Sequence, residues 1–173
     1  MSLLEIEKTY LAKCLPDDVL LSPFKDIIDI FITISDASTI RLRKSGEEYT
    51  LTKKIKEKEN DASSQMEFTI PLDESEFLLF EKMSSKVIEK RRYFYRHERS
   101  VLEIDIFTGH LKGLVIIECE FRNRSEYNAF IMPEFCLIEV TQENFIAGKF
   151  LAGKSIKDLE SDFKRLNYVI INS

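Results

Sequence analysis

Tryptophan is absent from this sequence, and histidine occurs twice, at His97 and His110. So few imidazoles exclude a histidine-rich metal centre, and both stand where the surrounding pattern reads as a turn or loop. Cys14, Cys119 and Cys136 are an odd set with no C-x-x-C spacing. That excludes a thiolate zinc site and a disulfide framework, and fits the reduced thiols of a cytoplasmic protein. Glycine is scarce, at five residues, and no glycine-rich phosphate loop or dinucleotide fingerprint exists. No apolar run approaches the roughly 20 residues of a membrane-spanning helix. Glu5 and Glu7 stand where a signal peptide would need a basic start, so no such leader is expected. Positive charge is not in excess: 25 Lys and Arg against 30 Asp and Glu leave −5, which favours neither a nucleic-acid polymer nor an anionic membrane as partner.

Charge itself is plentiful, at 32% of 173 residues, above the usual quarter. The length fits one domain over 1–173 with a real core. Apolar and β-branched runs predict strands at 3–10, 26–35, 39–44, 49–55, 66–72, 87–96, 101–107 and 114–121, with a short one at 137–141. Turns are expected at 36–38 and 45–47. The charged stretch 54–64 reads as a solvated, mobile hairpin extension. A capping box at Asp73 predicts a helix over 73–83, Ser125 one that stops at Pro133, and Ser155 a C-terminal helix carrying Ile156, Leu159, Phe163 and Leu166. The 169–171 tail has no assignment.

Side chains alternate across a strand, so residues two apart share a face. The same habit recurs: Glu5 with Glu7, Arg41 with Arg43, Thr52 with Lys54, Lys90 with Arg92, Glu103 with Asp105, and Glu118 with Glu120. Any single pair is an ordinary solvent face. Taken together, with apolar residues on the opposite faces (Ile6, Ile40, Leu42, Phe68, Ile104, Ile106, Ile117, Phe121), they predict a closed antiparallel β-barrel whose helices pack outside and whose charged faces point inward. The inward bases would be Arg41, Arg43, Lys54, Lys90 and Arg92. The inward acids would be Glu5, Glu7, Glu67, Glu103, Asp105, Glu118, Glu120 and Glu139. Unpaired buried charges cost several kcal/mol each, so such an interior must be wet, mutually paired, or filled by a charged ligand. Converging guanidinium and ammonium groups suit a small polyanion. Carboxylates beside phosphate call for a bridging cation, and oxygen-only ligands point to Mg²⁺ or Mn²⁺.

These residues resemble the triphosphate tunnel metalloenzyme, or CYTH, superfamily, in particular its short bacterial members called inorganic triphosphatases or adenylate cyclases. The E-x-E-x-K signature is matched by Glu5-Ile6-Glu7-Lys8-Thr9, the R-x-R strand by Arg41-Leu42-Arg43, and T-x-K by Thr52-Lys53-Lys54. The K-x-R strand is Lys90-Arg91-Arg92. Asp105-Ile106-Phe107-Thr108-Gly109-His110-Leu111, then Glu118-Cys119-Glu120-Phe121, Glu139-Val140-Thr141 and Leu151-Ala152 complete the order. The resemblance implies an eight-stranded antiparallel tunnel that hydrolyses inorganic tripolyphosphate to pyrophosphate and phosphate. It assigns phosphate binding to Arg41, Arg43, Lys54, Lys90 and Arg92, and catalysis to Glu5, Glu7 and Glu120. Metal binding, of Mg²⁺ or Mn²⁺, falls to Glu5, Glu7, Glu118, Glu120 and Glu139. The other activities on this tunnel are nucleoside or thiamine triphosphate hydrolysis and adenylate cyclisation; a non-catalytic polyphosphate- or nucleotide-binding module is the reading from another class. A monomer or homodimer is expected. Three departures stand out: Thr9 replaces the signature lysine, Thr69 an acid in Gln65-Met66-Glu67-Phe68-Thr69, and Gly148 an asparagine near the final Leu-Ala.

Overall fold

The computed structural model describes residues 2–35, 38–58 and 61–172. Nine strands follow one another: β1 Ser2–Ala12, β2 Phe24–Ser35, β3 Ser38–Ser45, β4 Glu48–Lys58, β5 Asp61–Leu72, β6 Val87–His97, β7 Ser100–Phe107, β8 Val115–Phe121 and β9 Cys136–Glu139. All pairings are antiparallel, in the order β5-β4-β3-β2-β6-β7-β8-β1-β9, and β5 returns to β1. Eight strands therefore close a barrel, and β9 continues along β1 beyond the seam. Short helices α1 (Glu74–Phe80), α2 (Arg124–Ala129), α3 (Gly148–Leu151) and α4 (Glu160–Leu166) complete the chain. Among the described residues, no helix is long and apolar enough to cross a membrane.

The helix starts follow local chemistry. Asp73 accepts the Glu76 N–H while the Glu76 carboxylate accepts the Asp73 N–H, as its sequence predicts. For α2 the cap is Asn123, whose side-chain Oδ1 accepts the Glu126 N–H, and not Ser125. The helix ends at Ala129, short of Pro133, so the expected start and stop are both shifted. Ser155 donates to Asp158, but a 3₁₀ turn over Ile156–Leu159 precedes α4. The 169–171 tail packs by the loop before β8, with the Ile171 N–H donating to the Gly113 carbonyl.

The 54–64 stretch is the larger correction. Strand β4 runs to Lys58 and β5 begins at Asp61, and Ser63 and Ser64 are buried rather than solvated. The reason is closure: Ser64 pairs with Ile6 and Gln65 with Glu5 at the seam. Asp61 accepts from Ser63 and Gln142 and pairs with Arg124, tying the hairpin across the seam to α2 and the segment after β9. The expected 36–38 turn lies largely outside the described residues.

Apolar residues pack in three groups. Outside the wall, Ile6, Tyr10, Ile104, Ile106, Ile117 and Phe121 meet Phe130 and Phe135. Leu42 and Ile30 lie under Phe77 of α1. Phe68, expected under a helix, is 44% exposed instead. The third group is on the inner face. Leu11, Phe31, Ile88, Phe107 and Ile116 stand two residues beyond Thr9, Asp29, Lys90, Asp105 and Glu118, so strand parity aims them inward. There they pack with Leu151, Leu159 and Phe163 of the C-terminal helices. One end of the barrel is thus an apolar plug, each buried side chain contributing roughly 1.5–3 kcal/mol. Gly148 permits the closest approach, because a Cβ there would lie 2.5 Å from the Phe31 ring. The interior is therefore charged over part of its length only.

Candidate active site

Strand register brings the predicted groups onto one inner wall. Glu7 stands opposite Glu120, Thr9 opposite Glu118, and Glu103 opposite Glu118. Arg41 faces Thr52, Lys54 faces Glu67, and Arg92 faces Asp105. Directly opposed like charges destabilise a sheet, and this wall holds two such carboxylate contacts, Glu7–Glu120 and Glu103–Glu118.

The bases are shared among the acids. Arg92 spans three carboxylates: its Nε donates to Asp105 at 2.6 Å, its Nη2 to Asp105 and Glu118 at 2.6 Å each, and its Nη1 to Glu103. Lys90 pairs with Asp105, which is almost fully buried. Burial alone would raise the Asp105 pKa, but Arg92 and Lys90 outweigh it and hold the carboxyl ionised, well below the ordinary range. Lys54 Nζ donates to Glu5 at 2.6 Å and lies 3.3 Å from Glu67. Arg41 reaches Glu67 at 3.7 Å, and its buried Nε has no partner. An unpaired guanidinium N–H in a buried place is costly unless something accepts from it.

One member was not picked out from sequence. Asp29 is buried and takes a fork from Arg43, Nε to Oδ1 at 2.7 Å and Nη2 to Oδ2 at 2.8 Å. Burial opposes the charge, yet the Arg43 hydrogen bonds bring its pKa to about 2. The signal was available. A lone acid among Ile27, Ile28, Ile30 and Phe31 needs a dedicated partner.

Glu139 departs from expectation. It stands opposite Tyr10 and lies 3.8 Å from Lys8, on the outer face and away from Glu5 and Glu7. Thr141 donates to it and accepts the Thr9 N–H, so it supports the wall from behind. His97 packs edge-on to Phe135, outside the wall.

With Asp29 included, the inner wall carries Glu5, Glu7, Asp29, Glu67, Glu103, Asp105, Glu118 and Glu120 against five bases. The excess is concentrated at Glu7. Burial pushes its pKa up to about 7; Lys54 opposes this, while Glu118, Glu5 and Glu120 add to it. The sign of the pH effect follows. Glu7 holds its proton more tightly when folded, so its contribution to stability is complete below about pH 4.5 and is lost as pH rises through about 7. Asp29 and Glu67, both lowered to about 2, act oppositely: their contribution is present above about pH 4.5 and is lost as pH falls toward 2. The metal-free protein is therefore expected to unfold at lower urea at pH 8 than at pH 5. Glu7→Gln should flatten that difference, and urea midpoints at the two pH values check it.

The donor set fits a hard divalent cation: oxygen only, and with negative charge in excess. Among the described residues, no three potential ligands already stand together as a preformed metal cluster. Glu5 and Glu118 are each engaged by a base.

No family model matches the chain. A curated inorganic triphosphatase from Nitrosomonas europaea is 32% identical over 151 residues, spanning 86% of this chain and 96% of the relative. Another from Acetivibrio thermocellus is 32% identical over 100 residues, or 58% and 60% of the two chains. A solved inorganic triphosphatase structure is 29% identical with a TM-score of 0.64, over 86% of this chain and 93% of that one. A Pyrococcus furiosus protein of no stated activity, 19% identical over 72% and 83% with a TM-score of 0.54, shares the fold. Sequence and barrel together place this chain in the inorganic triphosphatase family of the triphosphate tunnel, or CYTH, superfamily.

Proposed function

We propose that this protein hydrolyses inorganic tripolyphosphate inside the barrel, with Mg²⁺ or Mn²⁺, acting as one domain over its whole length in the cytoplasm. Water adds to a terminal phosphorus, the P–O–P bridge breaks, and phosphate and pyrophosphate leave. The observation that carries this reading is the inner wall itself. Five bases there face more carboxylates than they can neutralise, and Arg41 Nε has no acceptor. A bare polyanion would be repelled by the acids, and a bare cation by the bases. A metal-bound polyphosphate satisfies both.

Glu5, Glu7, Glu118 and Glu120 would hold the metal, which when bound neutralises charge on the phosphate chain and acidifies water. Glu139, on the outer face, is left out of that set. Lys54, let go by Glu5, and the Arg92 Nη2 let go by Glu118 would face phosphate oxygens alongside Arg41, Arg43 and Lys90, while Asp105 and Glu103 keep their hold on Arg92. Arginine suits this role because its fork matches two phosphate oxygens. Glu7, crowded by Glu118, Glu5 and Glu120, offers a basic oxygen to accept a proton from the attacking water.

Phosphate release from tripolyphosphate with each metal, and its loss in EDTA, tests the reading. Tight binding without release would indicate a binding module, and cyclic AMP formed from ATP would indicate a cyclase. Either outcome without tripolyphosphate turnover overturns the proposal.

A further inference from the structure

The two signs of charge divide the barrel by strand. Glu5, Glu7, Glu118 and Glu120 come from β1 and β8, and the inner bases from β3, β4 and β6. Strand β2 stands four strands from β1 whichever way the barrel is followed, and lies between β3 and β6. Those neighbours face inward with Arg41, Arg43, Lys90 and Arg92. Strand β3 has no acid, and β6 has Glu89 alone, of outward parity. Into the middle of this basic half β2 places a carboxylate, Asp29, with Ile27 and Phe31 two residues to either side.

An acid here works against the other parts of the site. Asp29 lies across the barrel from β1, so it is remote from the oxygens that would hold a metal. Beside the bases that would grip phosphate, its charge opposes a polyanion. Stability is no sufficient reason for it either, since a buried ion pair is often no better than an apolar pair of similar volume. Apolar neighbours are at hand: Ile88 stands opposite Asp29, and Ile27, Phe31 and Ile88 are all buried.

What Asp29 does is hold Arg43. Its two oxygens engage one N–H each on Nε and Nη2, at 2.7 and 2.8 Å. The hydrogens left over, on Nη1 and the far side of Nη2, form the end of the guanidinium, a second fork that fits two oxygens of one phosphate. Arg41, the other arginine of β3, has a 3.7 Å ion pair with Glu67 and a buried Nε without a partner. Arg43 alone of the two is fixed by a matched carboxylate before substrate arrives.

We propose that Asp29 is a positioning residue, which weakens polyphosphate binding but fixes Arg43 so that its free end meets a phosphate without rearrangement. It touches no substrate and acts through Arg43. Donors already in place cost no reorganisation as charge develops on the phosphate oxygens. This inference rests on the tunnel reading above, but the two fail differently.

The test compares kcat and KM on tripolyphosphate for the wild type, Asp29→Asn and Asp29→Glu, with urea unfolding beside them. Asp29→Asn removes the charge and one arm of the fork. It should lower kcat about tenfold or more, as misplaced groups do, and should also lower KM about threefold, because an anion beside the polyanion is gone. Asp29→Glu keeps the charge and shifts the carboxylate by one methylene. It should lower kcat similarly with KM unchanged, and it keeps the test valid if Asp29→Asn fails to fold. On an Arg43→Lys background, where no fork exists, Asp29→Asn should change kcat by less than about twofold. A lower urea midpoint with kcat and KM unaltered would mean a purely structural role and overturns the proposal. So does a full kcat effect of Asp29→Asn on the Arg43→Lys background. A wild type inactive on tripolyphosphate overturns the tunnel reading, and this inference with it.

Discussion

Glu7→Gln is expected to lower tripolyphosphate turnover by about 10³-fold or more, with the barrel intact. The substitution keeps the side chain's shape and removes both its negative charge and its basic oxygen. Glu7 is the inner-wall acid whose charge is least compensated. It faces Glu120 across the β1–β8 pair, has Glu5 and Glu118 near it, and has Lys54 as its main opposing charge. If the metal and the attacking water depend on this crowd of oxygens, the loss combines a missing ligand with a missing proton acceptor, the latter alone being worth about 10²–10⁴-fold. Glu120→Gln should give a similar loss. The folded protein should be no less stable, because removing one member of an opposed like-charge pair relieves repulsion. Steady-state rates beside urea unfolding at pH 8 check both halves. Full activity in the two variants would mean that other carboxylates do the work.

The reverse pattern is expected at Asp105. Asp105→Ala should destabilise the protein by about 3–5 kcal/mol, the range for removing one partner of a buried ion pair. Lys90 and Arg92 are themselves buried, and both lean on Asp105. Without it, two cations are left in a place that water reaches poorly. Glu103→Gln is the matched control. Glu103 also pairs with Arg92, but it is more exposed, and Arg92 keeps Asp105 and Glu118. Its cost should be well under half as large. Denaturant midpoints and slopes for both variants measure the contrast.

Much of this wall was legible in the sequence because strand parity is a local property. Six charged or polar pairs at i, i+2 marked the inner faces before any pairing was known, and opposite faces carried Ile6, Leu42, Ile104 and Ile117. What stayed hidden depends on register, which links distant strands. Glu139 follows the same local grammar as Glu120. Only its pairing with Tyr10 shows that it faces outward. The apolar plug obeys the same parity, and only its packing against the C-terminal helices is hidden from the sequence. Leu11, Phe31 and Ile116 look like ordinary strand residues, and their inward aim emerges when parity is counted from Thr9, Asp29 and Glu118. The 54–64 stretch misled through composition. Its charges suggest solvent, yet closing the barrel requires β5 to reach back to β1. Asp29 was masked by the apolar run around it.

The seam also governs how this chain must assemble. Strand β1 finds its neighbours at residues 64–68, 116–121 and 136–139, none of them near in sequence. It is the earliest described strand, yet two of its three partners, β8 and β9, are the last strands to arrive. Long loops must close before its hydrogen bonds form, and such contacts slow folding. Until then its edges are open to pairing with other chains. Strand β1, which carries Glu5 and Glu7, is thus the piece most exposed to misassembly, and refolding yield should fall with protein concentration.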